Sequence, residues 1–334
     1  MIGAFPRVSN HTSLFACVML LTACTNLPHR PNLQPTAQEQ ALVPPSAFFN
    51  ASDHARIPLR LYPAAGTPHA LILALHGYGD SRDAWETISP ALNQAGITII
   101  APDQRGFGQA PQRGDWSNTE RMVEDAHDAA LWAHDYAPHL PLYIMGSSMG
   151  GAVALLLTTS HPSPTITGTI LLAPAAMDIA PPWQQTLDLL ATLAPHKRLD
   201  GSSVPGTHIA TDNIAAARRL YFDPLTMHQA TFHTVDGLTH LMRSAYQASP
   251  HLTQPTLMIF GGQDQFVLPL YTSRLINRLP TSVRLDEIPT GHHLLERDQR
   301  DTARDIVSWI FAPQQPLSSG GDIAAALWKA TDTH

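Results

Sequence analysis

The sequence predicts an α/β chain: a mostly parallel, doubly wound sheet with a helical cap inserted late in the chain. Three observations carry this expectation. Apolar runs of strand length alternate with segments of helical period, the pattern of crossover units on a parallel sheet. One strand run leads into a small-residue helix through Gly146-Ser147-Ser148-Met149-Gly150. The alternation then breaks from about residue 176 to 250, where helical pieces and turns occur without a convincing strand.

From the start of the chain, Arg7 precedes the short apolar run 14–21, which is too short to span a bilayer. Leu21-Thr22-Ala23-Cys24 follows and resembles the bacterial lipobox, in which small residues admit the signal peptidase and the next cysteine is acylated. Cys17 fits that pattern worse, because bulky Phe15 occupies a position the pattern keeps small. Residues 1–23 are therefore expected to be a lipoprotein signal peptide, with Cys24 as the lipidation site and membrane anchor. Thr25 in place of Asp resembles sorting to the outer membrane, facing the periplasm. Residues 24–45 are rich in Pro, Gln, Thr and Asn and read as a tether.

The predicted strands are 57–62, 70–75, 97–102, 142–145, 169–173, 256–260 and 283–288, nearly continuous Val/Ile/Leu runs that suit strands buried on both faces. Between them 83–95 and 118–137 read as helices; in the second, Val123, Ala126, Ala130 and Ala133 recur at helical spacing, and Ser117 or Asn118 offers a cap. Residues 149–159 are small and apolar throughout, as a helix packed directly on a sheet should be. Further helices are expected near 271–278 and 301–311. Residues 46–313 thus form one α/β domain with its cap at about 176–250. The tail 314–334 reads as flexible, ending in a frayed Ala-rich segment.

Composition narrows the function. With 44% hydrophobic and 14% charged residues the chain can bury a large core, and its 29 prolines mark many loop boundaries. A formal charge of −7 without a Lys/Arg cluster leaves no footprint for nucleic acid. The 18 histidines show no metal-site spacing, so neither metal nor organic cofactor is expected. Oligomeric state leaves no trace in the sequence.

The chemistry begins at Ser148. Strand, Gly-x-Ser-x-Gly and helix is the context of a nucleophile elbow, a turn so sharp that side chains two positions either side of the serine must be absent. Gly146 and Gly150 meet that demand, and the helix start offers the Met149 amide toward developing negative charge. His76-Gly77-Tyr78-Gly79-Asp80, just after strand 70–75, offers the Tyr78 amide as a second donor, with His76 as a buried structural residue. A serine hydroxyl needs a base, and the base needs an acid. The fold orders them serine, acid, histidine. Asp264, on a loop at the end of strand 256–260, is the favoured acid over Asp178, while Asp286 and Glu287 lie within a strand. For the base, Thr290-Gly291-His292-His293-Leu294 offers two adjacent imidazoles, and residue chemistry alone does not separate them.

These strings, together with Pro102-Asp103-Gln104-Arg105-Gly106-Phe107-Gly108, resemble the monoacylglycerol lipase and lysophospholipase group of α/β-hydrolases, often described as serine-aminopeptidase-like hydrolases. The resemblance covers about 57–311. It implies a triad of Ser148, Asp264 and a histidine, with the Tyr78 and Met149 amides as oxyanion hole. The group's closing motif, Gly-x-His-x-Leu with an aromatic before the histidine, puts His293 on the triad position and His292 where the aromatic normally stands. Asp103 and Arg105 are expected to pin their loop beneath the site. The implied substrate is a carboxylic ester with a lipid-like acyl chain, and Leu189, Leu190, Leu193, Leu238, Leu241 and Met242 serve either as acyl contacts or as the cap's own core. A peptidase would instead need a cap carboxylate, for which Asp212, Asp223 and Asp236 are available. A non-catalytic binding lipoprotein on this fold usually lacks a triad member, and none is missing here.

Overall fold

The computed structural model describes residues 34–163, 165–200, 208–297 and 301–331. Cys24, the predicted signal segment and the first part of the predicted tether lie outside the described residues. Among those described, eight strands form the main sheet: β1 Ala47–Asn50, β2 Arg56–Tyr62, β3 Ala70–Leu75, β4 Ile97–Pro102, β5 Leu142–Ser147, β6 Ile166–Leu172, β9 Thr256–Gly261 and β10 Arg284–Ile288. The short β7 Arg198–Asp200 and β8 Gln229–Thr231 pair separately within the cap. The main sheet runs β1-β2-β4-β3-β5-β6-β9-β10, parallel from β4 to β10, with β1 and β2 joined antiparallel at one edge. The chain leaves β3 toward one side and returns at β5 on the other. Loops therefore diverge above the β3 and β5 ends, the crevice where open α/β sheets hold ligands.

The helices are α1 Ser89–Gln94, α2 Thr119–Tyr136, α3 Met149–Ser160, α4 Pro181–Leu193, α5 Ile214–Phe222, α6 Phe232–Ala248, α7 Pro269–Ile276, α8 Asp301–Phe311 and α9 Gly321–Thr331. One face of the sheet packs Trp85, Leu92, Ile306 and Trp309; the other packs α2, α3 and α6. Every residue of β3, β4 and β5 is buried, which explains their uninterrupted apolar composition. Asn118 caps α2 by accepting from the Arg121 amide. No helix among the described residues is long and apolar enough to cross a membrane.

The structure departs from the sequence-based expectation in four places. β1 was not anticipated: Ala47-Phe48-Phe49-Asn50 is too short to show alternation, and edge pairing with β2 makes it a strand. The cap holds strands after all, each only three residues long. The tail is not flexible throughout 314–331, because α9 packs on β10 with Ala325 buried, Trp328 edge-on to Phe260 at 5.0 Å, and Asp322 paired with Arg284 at 2.6 Å. Lastly, residues 34–45 do not hang free. Arg218 of α5 grips Glu39 through two hydrogen bonds of 2.5 and 2.8 Å, Arg219 donates to the Glu39 carbonyl, and Arg82 donates to that of Val43. Charged side chains from distant segments convert a Pro-rich stretch into a docked strap.

Candidate active site

Ser148 follows the last residue of β5 and caps α3 with φ 51° and ψ −113°, a conformation non-glycine residues rarely adopt and one that costs about 1–3 kcal/mol. The surroundings enforce it. A side chain at Gly146 would overlap the Gly150 carbonyl, and one at Gly150 would overlap the Leu75 carbonyl at the end of β3. The Ser148 amide is tied to Leu172 O at 2.9 Å, and its carbonyl accepts from Ala175 N at 2.9 Å. The strain is therefore locked from both neighbouring strands, and the Met149 amide heads α3.

His293 lies beyond β10 and Asp264 beyond β9, and the fold brings both to Ser148. The His293 Nδ1 donates to Asp264 Oδ2 at 2.8 Å, and its Nε2 stands 2.9 Å from Ser148 Oγ, set to accept the hydroxyl proton. Asp264 is aimed by its own loop, where its Oδ1 accepts from the Phe266 and Val267 amides at 2.7 and 3.0 Å. Phe266 also packs its ring against His293 at 5.1 Å. All three groups are buried: Ser148 is 5% exposed, Asp264 8% and His293 1%. Burial opposes charge on the His293 imidazole, yet the charge and hydrogen bond of Asp264 outweigh it and raise its pKa above 6.5.

Both hydrogen bonds of this chain are made by His293, whereas the Nδ1 of the adjacent His292 is buried without a hydrogen-bond partner. Asp178 is half-exposed and pairs with Arg243 at 3.4 Å. Gly77 runs close beside the elbow, so that a Cβ there would sit 3.6 Å from that of Ser148, which brings the Tyr78 backbone alongside. His76 is fully buried; its Nε2 accepts from the Gln104 amide at 3.0 Å, which leaves Nδ1 to donate to Gly77 O at 2.8 Å. Asp103 is held by the buried Arg82 at 2.5 Å, and Arg105 by Asp125 at 2.7 Å.

Among the described residues the cap closes over these loops with four hydrogen bonds, one to the histidine loop, one to the acid loop and two to the 76–80 loop. Leu294 N donates to Ala210 O at 2.8 Å, Ile209 N to Gln265 Oε1 at 3.0 Å, Met227 N to Gly79 O at 2.7 Å, and the Tyr78 hydroxyl to Thr234 Oγ1 at 2.7 Å. Leu238, Leu241 and Met242 are buried in the core along α6, whereas Leu189, Leu190 and Leu193 on α4 are exposed.

Sequence reasoning missed a buried network behind the site. Ser147 Oγ donates to Glu296 Oε2 at 2.7 Å, and Arg297 donates to Asp80 Oδ2 at 2.5 Å. Burial raises the Glu296 pKa despite Arg297 beside it. Tandem charges directly after the apolar Leu294-Leu295 were the only local signal of their burial. Among the described residues the clusters with metal-ligand chemistry, Glu124/His127/His161 and Asp188/Asp236/His240, include none of these side chains.

With this geometry in view, comparison with known proteins is specific. Residues 66–300 match the family model described as serine aminopeptidase, S33 (Hydrolase_4). The monoacylglycerol lipase of Mycolicibacterium smegmatis is 26% identical over 254 residues, covering 73% of this chain and 89% of that protein. The monoglyceride lipase of Rattus norvegicus is 24% identical over 257 residues, covering 75% and 84%. Among solved structures, a soluble variant of the Saccharomyces cerevisiae monoglyceride lipase aligns over 86% of this chain and 98% of its own with a TM-score of 0.66 at 19% identity, a likeness of fold. The chain is a serine hydrolase of the α/β-hydrolase fold, and it belongs to the serine aminopeptidase S33 family, Hydrolase_4.

Proposed function

We propose that this protein cleaves lipid-like carboxylic esters, of the monoacylglycerol or lysophospholipid type, through an acyl-enzyme on Ser148. The observation that carries the reading is the continuous hydrogen-bonded chain from Asp264 through His293 to Ser148. His293 Nε2 takes the hydroxyl proton as Ser148 Oγ bonds to the ester carbonyl carbon. The Met149 and Tyr78 amides receive the oxyanion, and His293 returns the proton to the departing alkoxide, releasing the alcohol. Water, deprotonated by the same imidazole, then frees the acid. Asp264 stays ionised and holds the imidazole by Nδ1.

Relatives named as monoacylglycerol lipases along three quarters of the chain favour an ester over a peptide. The cap supplies a second argument. A peptidase needs a cap carboxylate open to a substrate amine; of the three candidates, Asp223 is buried against Arg219 at 3.0 Å and Asp236 is engaged by Gln184 and His240, which leaves the exposed Asp212 as the one such carboxylate. The test is hydrolysis of p-nitrophenyl esters and monoacylglycerols of graded acyl length by the full chain in detergent, beside Ser148→Ala and an aminoacyl arylamide. Ester turnover that vanishes in Ser148→Ala is expected. Cleavage of the arylamide alone would replace this reading with the peptidase one, and no Ser148-dependent turnover would leave a binding module.

We further infer that the protein is anchored in the cell envelope by lipid on Cys24, in the outer membrane facing the periplasm. Support comes from Leu21-Thr22-Ala23-Cys24 behind its short apolar run and from Thr25.

A further inference from the structure

The acid and base loops are tied together on either side of the catalytic pair. Below it, at the ends of β9 and β10, Gly262 N donates to Ile288 O and Gln263 N to Gly291 O, each at 2.9 Å. These bonds stop one residue before Asp264 and two before His293. Beyond the pair the connection runs through the cap. Gln265, the residue after Asp264, accepts from the Ile209 amide at 3.0 Å, and Leu294, the residue after His293, donates to the Ala210 carbonyl at 2.8 Å. Adjacent residues of one cap segment thus hold both loops from above. The donor in the first bond is a backbone N–H, so the Gln265 atom that meets it is the amide oxygen. Ring contacts reinforce the bracket: His208 packs edge-on to Phe266 at 6.0 Å, and Phe266 lies against His293 at 5.1 Å.

Asp264 and His293 stand 29 residues apart, on loops whose bases the sheet fixes, and the 2.8 Å bond between them sets both the tautomer and the direction of Nε2 toward Ser148. The Phe266 and Val267 amides orient the Asp264 carboxylate within its own loop; the stance of that loop against the base loop falls to the outer tie. A displacement of about 1 Å between catalytic groups can cost about a hundredfold in rate. We propose that Gln265 is a positioning residue: its bond to Ile209 closes a bracket, through 209–210, that holds Asp264 against His293, so that seating the cap also aligns the triad. Gln265 acts through these two side chains and not on the substrate. The inference rests on the triad of Ser148, His293 and Asp264 and is independent of the ester class. Because the Gln265–Ile209 bond lies at an exposed edge, its loss slackens the bracket without dismantling it, and the expected effect is about tenfold, far below the loss of a triad member.

The experiment uses the full chain in detergent and reads kcat and KM on a p-nitrophenyl ester, the pH dependence of kcat/KM, and the rate at which a fluorophosphonate probe labels Ser148. The labelling arm needs no turnover, so it decides the proposal whatever the ester. Gln265→Met keeps the length of the side chain and removes the acceptor; kcat and labelling rate should fall about five- to tenfold with KM held within about threefold. Asp264 and Glu296 are the carboxylates whose charge raises the pKa of the buried His293 imidazole. With Asp264 slackened, the acid limb of Gln265→Met should move to lower pH, which a mere loss of folded protein does not produce. Gln265→Glu restores an acceptor and should keep kcat within about threefold of wild type. Ile209→Pro deletes the donor from the cap side and should match Gln265→Met, and the double variant should lose no more than either single one. Unchanged rates and limb in Gln265→Met, no recovery in Gln265→Glu, or additive losses in the double variant would overturn the proposal and leave the triad standing. Turnover and labelling that both survive Ser148→Ala would overturn the triad, and the proposal with it.

Discussion

Ser147 Oγ donates a 2.7 Å hydrogen bond to Glu296 Oε2, which joins the residue before the elbow serine to the residue three places after His293. Both are fully buried. Truncation by Glu296→Ala removes the acceptor and a charge facing Arg297, so it should lower unfolding free energy by about 2–3 kcal/mol. Glu296→Gln keeps an acceptor oxygen and should cost less than half of that. Denaturant unfolding of the two variants checks the order; equal losses would show that the hydrogen bond contributes nothing.

The two adjacent histidines should separate sharply. His293→Ala breaks both hydrogen bonds of the imidazole, and ester turnover is expected to fall by about 10³–10⁴-fold. His292→Ala touches neither bond and should keep activity within about threefold. Steady-state kinetics on one chromogenic ester measures both, and a comparable loss in His292→Ala would reassign the base.

The pH profile tests the partnership of His293 and Asp264. The working imidazole must be neutral, and Asp264 raises its pKa above 6.5 against the effect of burial. Activity should therefore rise with pH along a limb centred above pH 6.5. In Asp264→Asn the charge is gone and burial dominates, so the limb of the residual activity should move to lower pH.

Asp286 is fully buried in β10, where burial and the neighbouring Asp305, Asp322 and Asp301 push its carboxyl up to about 8. Below about pH 4 both folded and unfolded chains hold this proton; at higher pH the unfolded chain releases it first, so stability falls as pH approaches 8. Asp286→Asn removes that dependence. Thermal unfolding should show little gain at about pH 3 and a gain of about 5 kcal/mol at about pH 8, because the rise of the carboxyl from 3.8 to about 8 carries about 1.4 kcal/mol per pH unit.

The anchor has its own test. Cys24→Ser should shift the protein from the membrane pellet to the soluble fraction while its detergent-assayed esterase activity persists. Retention in the pellet would remove Cys24 as the attachment point.

Much of this molecule is legible from residue order. The elbow is a five-residue object, because Gly146 and Gly150 are required by clashes within the same turn and with β3, so Ser148 can be read locally. The buried parallel strands announce themselves because strands covered on both faces must be apolar at every position. Asp264 follows from its place after a strand. What only the tertiary structure decided has the opposite character. His293 and His292 are chemically identical neighbours; the resembled motif points to His293, but the physical reason for the choice, the position of Asp264 and Ser148 in space, exists only in the fold. The strap at Glu39 and Arg218, the docking of α9 and the Ser147–Glu296 bond join segments far apart in the chain. Polar and charged side chains read as solvated in a sequence, because their burial depends on partners that folding alone brings into reach.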